Sequence, residues 1–291
     1  MRYQPIVPSR AEFLQVRGLR HRVLRWGPLV DNPLVLLHGF QDCSDTFQFL
    51  IDQLPRDWGF IGVDWRGFGG SESTGQPYWF PDYIADLEVL LDALLPDRPV
   101  TLVGHSMGGN VASLYAGIRP ARVGRLVSLE GFGLPRSRPD QAPAKYGEWL
   151  DQLKNPPRGS HYGSVGELAA LLARRNPRLP RGNAEFVAEA WTRDTGPPLQ
   201  LHFDPWHRVV NPVLYRREET EACWRSITAP TLLVLGGQSE YRIRLMEDAQ
   251  DDLFGPHFAR LTVAMLPELG HMLHHEDPQA VARAITEWFA A

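Results

Sequence analysis

Between Pro33 and Gly131 four apolar runs of strand length alternate with helical stretches. The runs are "PLVLLHGF", "WGFIGVDWRGFGGS", "PVTLVGHS" and "VGRLVSLEG". Between them lie "DTFQFLIDQL", with Ser44 or Asp45 as N-cap, "YIADLEVLLDALL", started by Asp82 behind Pro81, and "MGGNVASLYAGIRP", closed by proline. The strands are apolar throughout rather than alternating, so both of their faces are buried. Parallel strands need crossover connections, and helices supply them. The pattern predicts an α/β protein with a mostly parallel central sheet and helices on both faces.

Ahead of this block, "EFLQVRG" and "LRHRVLRWG" read as a hairpin turning at Gly18. Behind it, from about Pro135 to Thr228, prolines are frequent and four tryptophans are scattered. There "VGELAALLARR" and "NAEFVAEAWTRD" read as helices, and no strand is evident. The strand pattern resumes with "PTLLVLGG", a helix-like "YRIRLMEDAQDDLF", the strand "ARLTVAML" and a last helix "PQAVARAITEWFA". The expected organisation is a core made of residues 1–134 and 229–291, with a helical cap inserted at 135–228.

A chain of 291 residues with 43% hydrophobic and 22% charged residues suits one soluble domain of this kind. Its net charge of −4 argues against a general nucleic-acid binder. No apolar run reaches the eighteen or so residues that span a bilayer, and the start lacks the apolar core of a secretory signal. Cys43 and Cys223 are too few for a disulfide framework. A cytoplasmic protein with reduced thiols is the default expectation. Oligomeric state is not legible.

Gly104-His105-Ser106-Met107-Gly108 is a G-x-S-x-G motif, and its context gives it weight. "VTLVG" precedes it as a strand and "NVASLYA" follows as a helix. A serine on such a sharp turn is lifted clear of the sheet at the carboxyl edge, where open α/β folds bind ligands. The histidines lack the metal-ligand spacing of H-E-x-x-H, and "DWRGFGGSES" is not a dinucleotide fingerprint, so no metal or cofactor is expected. Asp64 reads as structural, and the charges of "RVVNPVLYRREE" as a solvated helix face.

"HGF", "DWRGFGGSES", "GHSMGG" and "GHMLHHEDP" together resemble the landmarks of the α/β-hydrolase fold, over roughly Arg20 to Gly131 and Ala229 to Phe289. "LEGFGLP" and "NPVLYRREE" are most similar to the serine hydrolase-like proteins within that superfamily. The resemblance implies Ser106 as nucleophile and His271 as its base, with His274 and His275 decorating the start of the last helix. It implies an oxyanion hole from the backbone N–H groups of Phe40 and Met107, with His38 bracing the Phe40 loop. The cap would close an apolar acyl site.

The acid is open at this level. Most members of the superfamily place it after the strand that here reads "PTLLVLGGQSE", where Ser239 stands in the aspartate's place and Glu240 one residue later. Glu130, which ends "RLVSLE", is the preferred acid, because haloalkane dehalogenases and other relatives carry theirs there. A carboxylate closing a buried strand also needs a partner. Glu240 is the alternative. Serine at the elbow excludes the aspartyl-ester chemistry of dehalogenases and epoxide hydrolases. The expected function is a carboxylesterase-like serine hydrolase acting on a small-molecule ester through an acyl-enzyme. A thioesterase, lactonase or C–C bond hydrolase, a cofactor-free oxygenase and a catalytically silent binding protein are the alternatives.

Overall fold

Residues 2–193, 198–246 and 254–291 are described by the computed structural model. The chain opens with the expected hairpin, β1 (Arg10–Val16) and β2 (Leu19–Trp26), turning at Gly18 with φ +84°. Then follow β3 (Leu34–Leu37), α1 (Gln48–Ile51), β4 (Phe60–Val63), α2 (Phe80–Leu94), β5 (Val100–His105), α3 (Met107–Ile118) and β6 (Val123–Leu129). Excursion residues form α4 (Ala142–Lys154), β7 (His161–Tyr162), α5 (Val165–Arg175), α6 (Arg181–Ala190), β8 (Thr192–Arg193), β9 (Leu199–Leu201) and α7 (Arg217–Arg225). The chain returns as β10 (Thr231–Gly236), α8 (Glu240–Met246), β11 (Leu261–Leu266), α9 (Leu273–Glu276) and α10 (Pro278–Ala290).

The main sheet has eight strands in the order β1-β2-β4-β3-β5-β6-β10-β11. β1 and β2 run antiparallel and the six strands from β4 to β11 are parallel. Two-residue periodicity then sorts the apolar runs onto two cores. Val35 and Leu37 of β3 pack with Leu87, Leu90, Val111 and Tyr115 of α2 and α3 on one face. Leu34 and Leu36 pack with Leu50, Ile51, Val281 and Ile285 of α1 and α10 on the other. At roughly 1.5–3 kcal/mol for each large apolar side chain buried, these two layers dominate stability. Among the described residues the buried part of the cluster at α5 and α6 is smaller, formed by Leu168, Ala169, Leu179, Ala184 and Ala188.

Several local expectations are corrected. The first crossover is a 3-10 turn (Ser44–Phe47) running into the single turn of α1, and neither Ser44 nor Asp45 caps it; Cys43 does so without a side-chain bond. α2 begins two residues early, at Phe80. The 135–228 stretch is not strand-free: β7, β9 and β8 form a small antiparallel sheet. Strands of two or three residues are too short to show a period. The helix expected over "NAEFVAEAWTRD" ends at Ala190. Of the helix expected over 241–254, residues 247–253 lie outside the described residues.

The excursion is pinned to the core by packed rings. His207 stacks between Phe68 and Tyr78, with centroids at 3.8 and 3.6 Å, and its Nδ1 meets the Tyr83 hydroxyl at 2.9 Å. Burial pushes the His207 pKa down to about 3, so the ring is neutral. Arg217 corrects the solvated-face reading. It is buried, donates to Glu221 at 3.0 Å and to the Leu134 carbonyl at 3.1 Å, and lies over Trp224. Its neighbours Arg216, Glu218 and Glu219 are exposed as expected.

Candidate active site

Ser106 stands between β5 and α3 with φ 51° and ψ −113°, a conformation that costs a non-glycine residue on the order of 1–3 kcal/mol. Close packing holds it there. A Cβ on Gly104 would lie 2.4 Å from the Gly108 carbonyl oxygen, and one on Gly108 would lie 2.0 Å from that of Leu37. The elbow is therefore tighter than any side chain at those two positions permits. The Ser106 N–H donates to the Leu129 carbonyl at 2.8 Å, tying the turn to the end of β6.

His271 follows β11. Its Nε2 lies 2.9 Å from Ser106 Oγ and its Nδ1 lies 3.1 Å from Glu130 Oε2. A carboxylate only accepts, so Nδ1 carries the hydrogen and Nε2 is left bare toward the serine hydroxyl. That tautomer is the one able to take the serine's proton.

Glu130 is buried at the end of β6, with φ 57°. Its Oε1 accepts the Gly236 N–H at 2.6 Å, and its Oε2 accepts the Ser239 hydroxyl in addition to His271. Three donors answer the cost of burying this carboxylate. Ser239, standing where the resemblance would place an aspartate, is thus a donor to Glu130, a part the sequence reading did not assign to it. Glu240 lies exposed in the first turn of α8 and is not brought to His271, whose ring nitrogens bond Ser106 and Glu130.

Met107 opens α3, and the first N–H groups of a helix have no intrahelical acceptor. The positive end of the helix dipole favours negative charge at that point. Phe40 lies in the loop after β3. Its ring is 46% exposed and meets the edges of Phe68 and His207, at 5.9 and 6.2 Å. The next residue, Gln41, has φ 61°. His38 braces this loop as expected. Nδ1–H donates to the Gly39 carbonyl at 2.8 Å and Nε2 accepts the Trp65 N–H at 3.0 Å, while the Trp65 indole donates to the His38 carbonyl. Burial keeps the His38 pKa below the usual imidazole range.

Asp64 is structural: its oxygens accept the N–H groups of Ser44 and Gly70, both at 2.8 Å, and Arg22 Nε at 2.6 Å. His274 and His275 do not decorate the start of the last helix. Both are buried in α9, and Asp277 caps α10 instead, accepting from Ala280. His105 was missed. Its Nε2–H donates to the His271 carbonyl at 2.9 Å, joining the serine elbow to the His271 backbone. A histidine beside Ser106 is visible in the motif, but no sequence signal shows where its ring turns. Among the described residues, one set of histidine and acidic side chains is close enough to share an ion: Asp42, His105 and His274.

The family model described as "alpha/beta hydrolase fold" matches residues 32–278. A serine hydrolase-like protein of Mus musculus is 32% identical over 280 residues, covering 89% of this chain and 89% of its own length. Esterase YbfF of Escherichia coli (strain K12) is 28% identical over 266 residues, covering 89% and 93%. In three dimensions the chain is similar to a thioesterase domain from the curacin biosynthetic pathway. That match has a TM-score of 0.81 and 24% identity, covering 96% of this chain and 99% of that one.

Proposed function

The chain belongs to the alpha/beta hydrolase fold family, and from that premise we propose that it is a carboxylesterase-like serine hydrolase acting through an acyl-enzyme. The observation that carries this reading is the unbroken line from Ser106 Oγ to His271 Nε2 at 2.9 Å and from His271 Nδ1 to Glu130 at 3.1 Å.

In the proposed reaction Ser106 Oγ attacks the ester carbonyl while its proton passes to His271 Nε2. Glu130 stabilises the imidazolium through Nδ1–H. The oxyanion forms against the N–H groups of Phe40 and Met107, donors worth on the order of 3 kcal/mol each. The tetrahedral adduct collapses, the C–O bond to the alcohol breaks, and the alkoxide leaves with the proton from His271. Water then attacks the acyl-serine with His271 as base, releasing the acid and restoring Ser106. No step calls on a cofactor.

A small or medium, largely apolar ester suits the surroundings. An open groove of about 320 Å³ on the excursion is lined by Tyr146, Val213, Leu214 and Tyr215 among others. A Cβ on Gly133 would lie 2.8 Å from the Tyr215 hydroxyl, and the Gly133 N–H bonds Asn110, one turn beyond Ser106. We take residues 135–228 as a cap that selects the substrate. None of the described helices is long and apolar enough to cross a membrane. The free cysteines Cys43 and Cys223 suit a reducing compartment, so the cytoplasm is the proposed location.

The test is fluorophosphonate labelling together with a panel of p-nitrophenyl esters and matching thioesters. The folded wild type should be labelled and should hydrolyse short and medium acyl esters, and Ser106→Ala should abolish both. Absence of labelling and turnover in the folded wild type would overturn the proposal. Turnover of thioesters alone would move the substrate class and leave the nucleophile unchanged.

A further inference from the structure

A second polar cluster lies buried behind His271 and takes no part in the chemistry proposed above. Asp42 comes from the loop after β3, His105 from the end of β5, and His274 and His275 from α9. All four are 3% exposed or less. A carboxylate oxygen of Asp42 and one ring nitrogen each of His105 and His274 lie within 4.8 Å of one another. Asp42 Oδ2 is 3.6 Å from His275 Nε2 and 3.9 Å from His274 Nε2. Both distances are beyond hydrogen-bond reach.

The hydrogen bonding leaves these atoms without an answer. Asp42 Oδ1 is fully engaged, accepting the Cys43 N–H at 2.9 Å and the Thr46 hydroxyl and Trp191 indole N–H at 2.8 Å each. Asp42 Oδ2 accepts nothing. His105 Nδ1, both ring nitrogens of His274 and His275 Nε2 are likewise buried with no hydrogen-bond partner among the described residues. Each such atom carries the penalty of leaving water unpaid, so a cluster of them calls for a common partner.

The tautomers limit what that partner can be. His105 Nε2–H donates to the His271 carbonyl, so Nδ1 presents a lone pair. Asp42 Oδ2 presents another, and His274, with both ring nitrogens unpartnered, presents a third in one of its two neutral tautomers. One water has two hydrogens and cannot answer three lone pairs. A cation answers all three together.

We infer that Asp42, His105 and His274 bind a divalent ion of the zinc class, with solvent completing the coordination. Imidazole nitrogens with one carboxylate suit zinc and its neighbours, whereas calcium and magnesium prefer oxygen alone. Zinc–ligand lengths of about 2.0–2.2 Å place tetrahedral ligands roughly 3.3–3.6 Å apart, so side-chain adjustments must bring the widest pair, up to 4.8 Å apart before binding, about 1.2–1.5 Å closer. The outer shell fits as well. His105 gives its second N–H to a backbone carbonyl, and Thr46 and Trp191 hold Asp42, the supports that metal ligands ordinarily have. The ligands come from a loop, a strand end and a helix far apart in the chain, which is why no spacing motif announces them. Because His105 also bonds the His271 backbone, occupancy is coupled to the position of the base.

The experiment uses the whole chain, stripped with a chelator and titrated with Co²⁺ as probe. One Co²⁺ per chain with visible d–d bands of a four-coordinate site is expected. Binding should persist in His271→Ala and weaken at least tenfold in His274→Phe and in Asp42→Asn, with folding checked by circular dichroism. Should both variants fail to fold, anomalous diffraction at the cobalt edge on the wild type decides. A peak within bonding distance of Asp42, His105 and His274 upholds the site. Three results would overturn it: no bands in the wild type, a peak elsewhere, or binding lost in His271→Ala, which would put the ion on the Ser106–His271–Glu130 line.

Discussion

The ends of β6 and β10 are neighbours in the sheet, and each could carry the acid proposed for His271. Their chemistry differs sharply. A carboxylate on a left-handed backbone follows β6, while the end of β10 offers the Gly236 N–H and the loop after it the Ser239 hydroxyl. The charge sits at one strand end and most of the hydrogen bonds that stabilise it come from the other. An acid position is therefore a property of two strands. A carboxylate can move between them only if its donors change places too.

The sharpest way to break this comparison is Glu130→Gln. An amide can donate to Nδ1 and favour the wrong tautomer of His271, so kcat on a p-nitrophenyl ester should fall by about 10³–10⁴-fold. A fall of less than tenfold would remove Glu130 from the proposed mechanism. Restoring the charge across the gap, in Glu130→Gln combined with Ser239→Asp, should regain about a hundredfold over the single variant, because Ser239 already touches the Glu130 carboxylate. No regain would mean that the loop after β10 cannot aim a carboxylate at His271. Ser239→Ala removes one charge-assisted hydrogen bond, worth about 1.5–3 kcal/mol. With about half of that felt in the transition state, kcat/KM should drop roughly 4- to 13-fold. Glu240→Gln should change steady-state rates by less than about twofold, in line with its exposure.

The same pair of strand ends marks how far the amino-acid sequence could be read. Buried parallel strands announce themselves as continuous apolar runs, so β3, β4, β5, β6 and β10 were legible, as was the strand–serine–helix elbow. Choosing between Glu130 and Glu240 was not settled at that level. The choice depends on a φ of 57° and on which donors converge, and neither leaves a trace in residue type. β7, β8 and β9 were hidden by their shortness. The inward turn of His274 and His275 was hidden because a lone helical turn has no period from which a buried face can be inferred. Arg217 was misread for a related reason, since a charged residue pairs inward only when a partner such as Glu221 and a ring such as Trp224 wait for it.

Five non-glycine residues among those described have positive φ: Arg17, Gln41, Asp97, Ser106 and Glu130. Arg17 and Asp97 sit in connecting turns, but the other three border the candidate site. Positive-φ backbone costs such residues on the order of 1–3 kcal/mol each, so the chain sets aside several kcal/mol of a folding margin that is ordinarily only about 5–15 kcal/mol. Drift toward greater thermal resistance would find its easiest gains at these three positions, by glycine. Two of those gains would erase the side chains of Ser106 and Glu130, so selection for durability and selection for turnover pull against each other at the ends of β5 and β6.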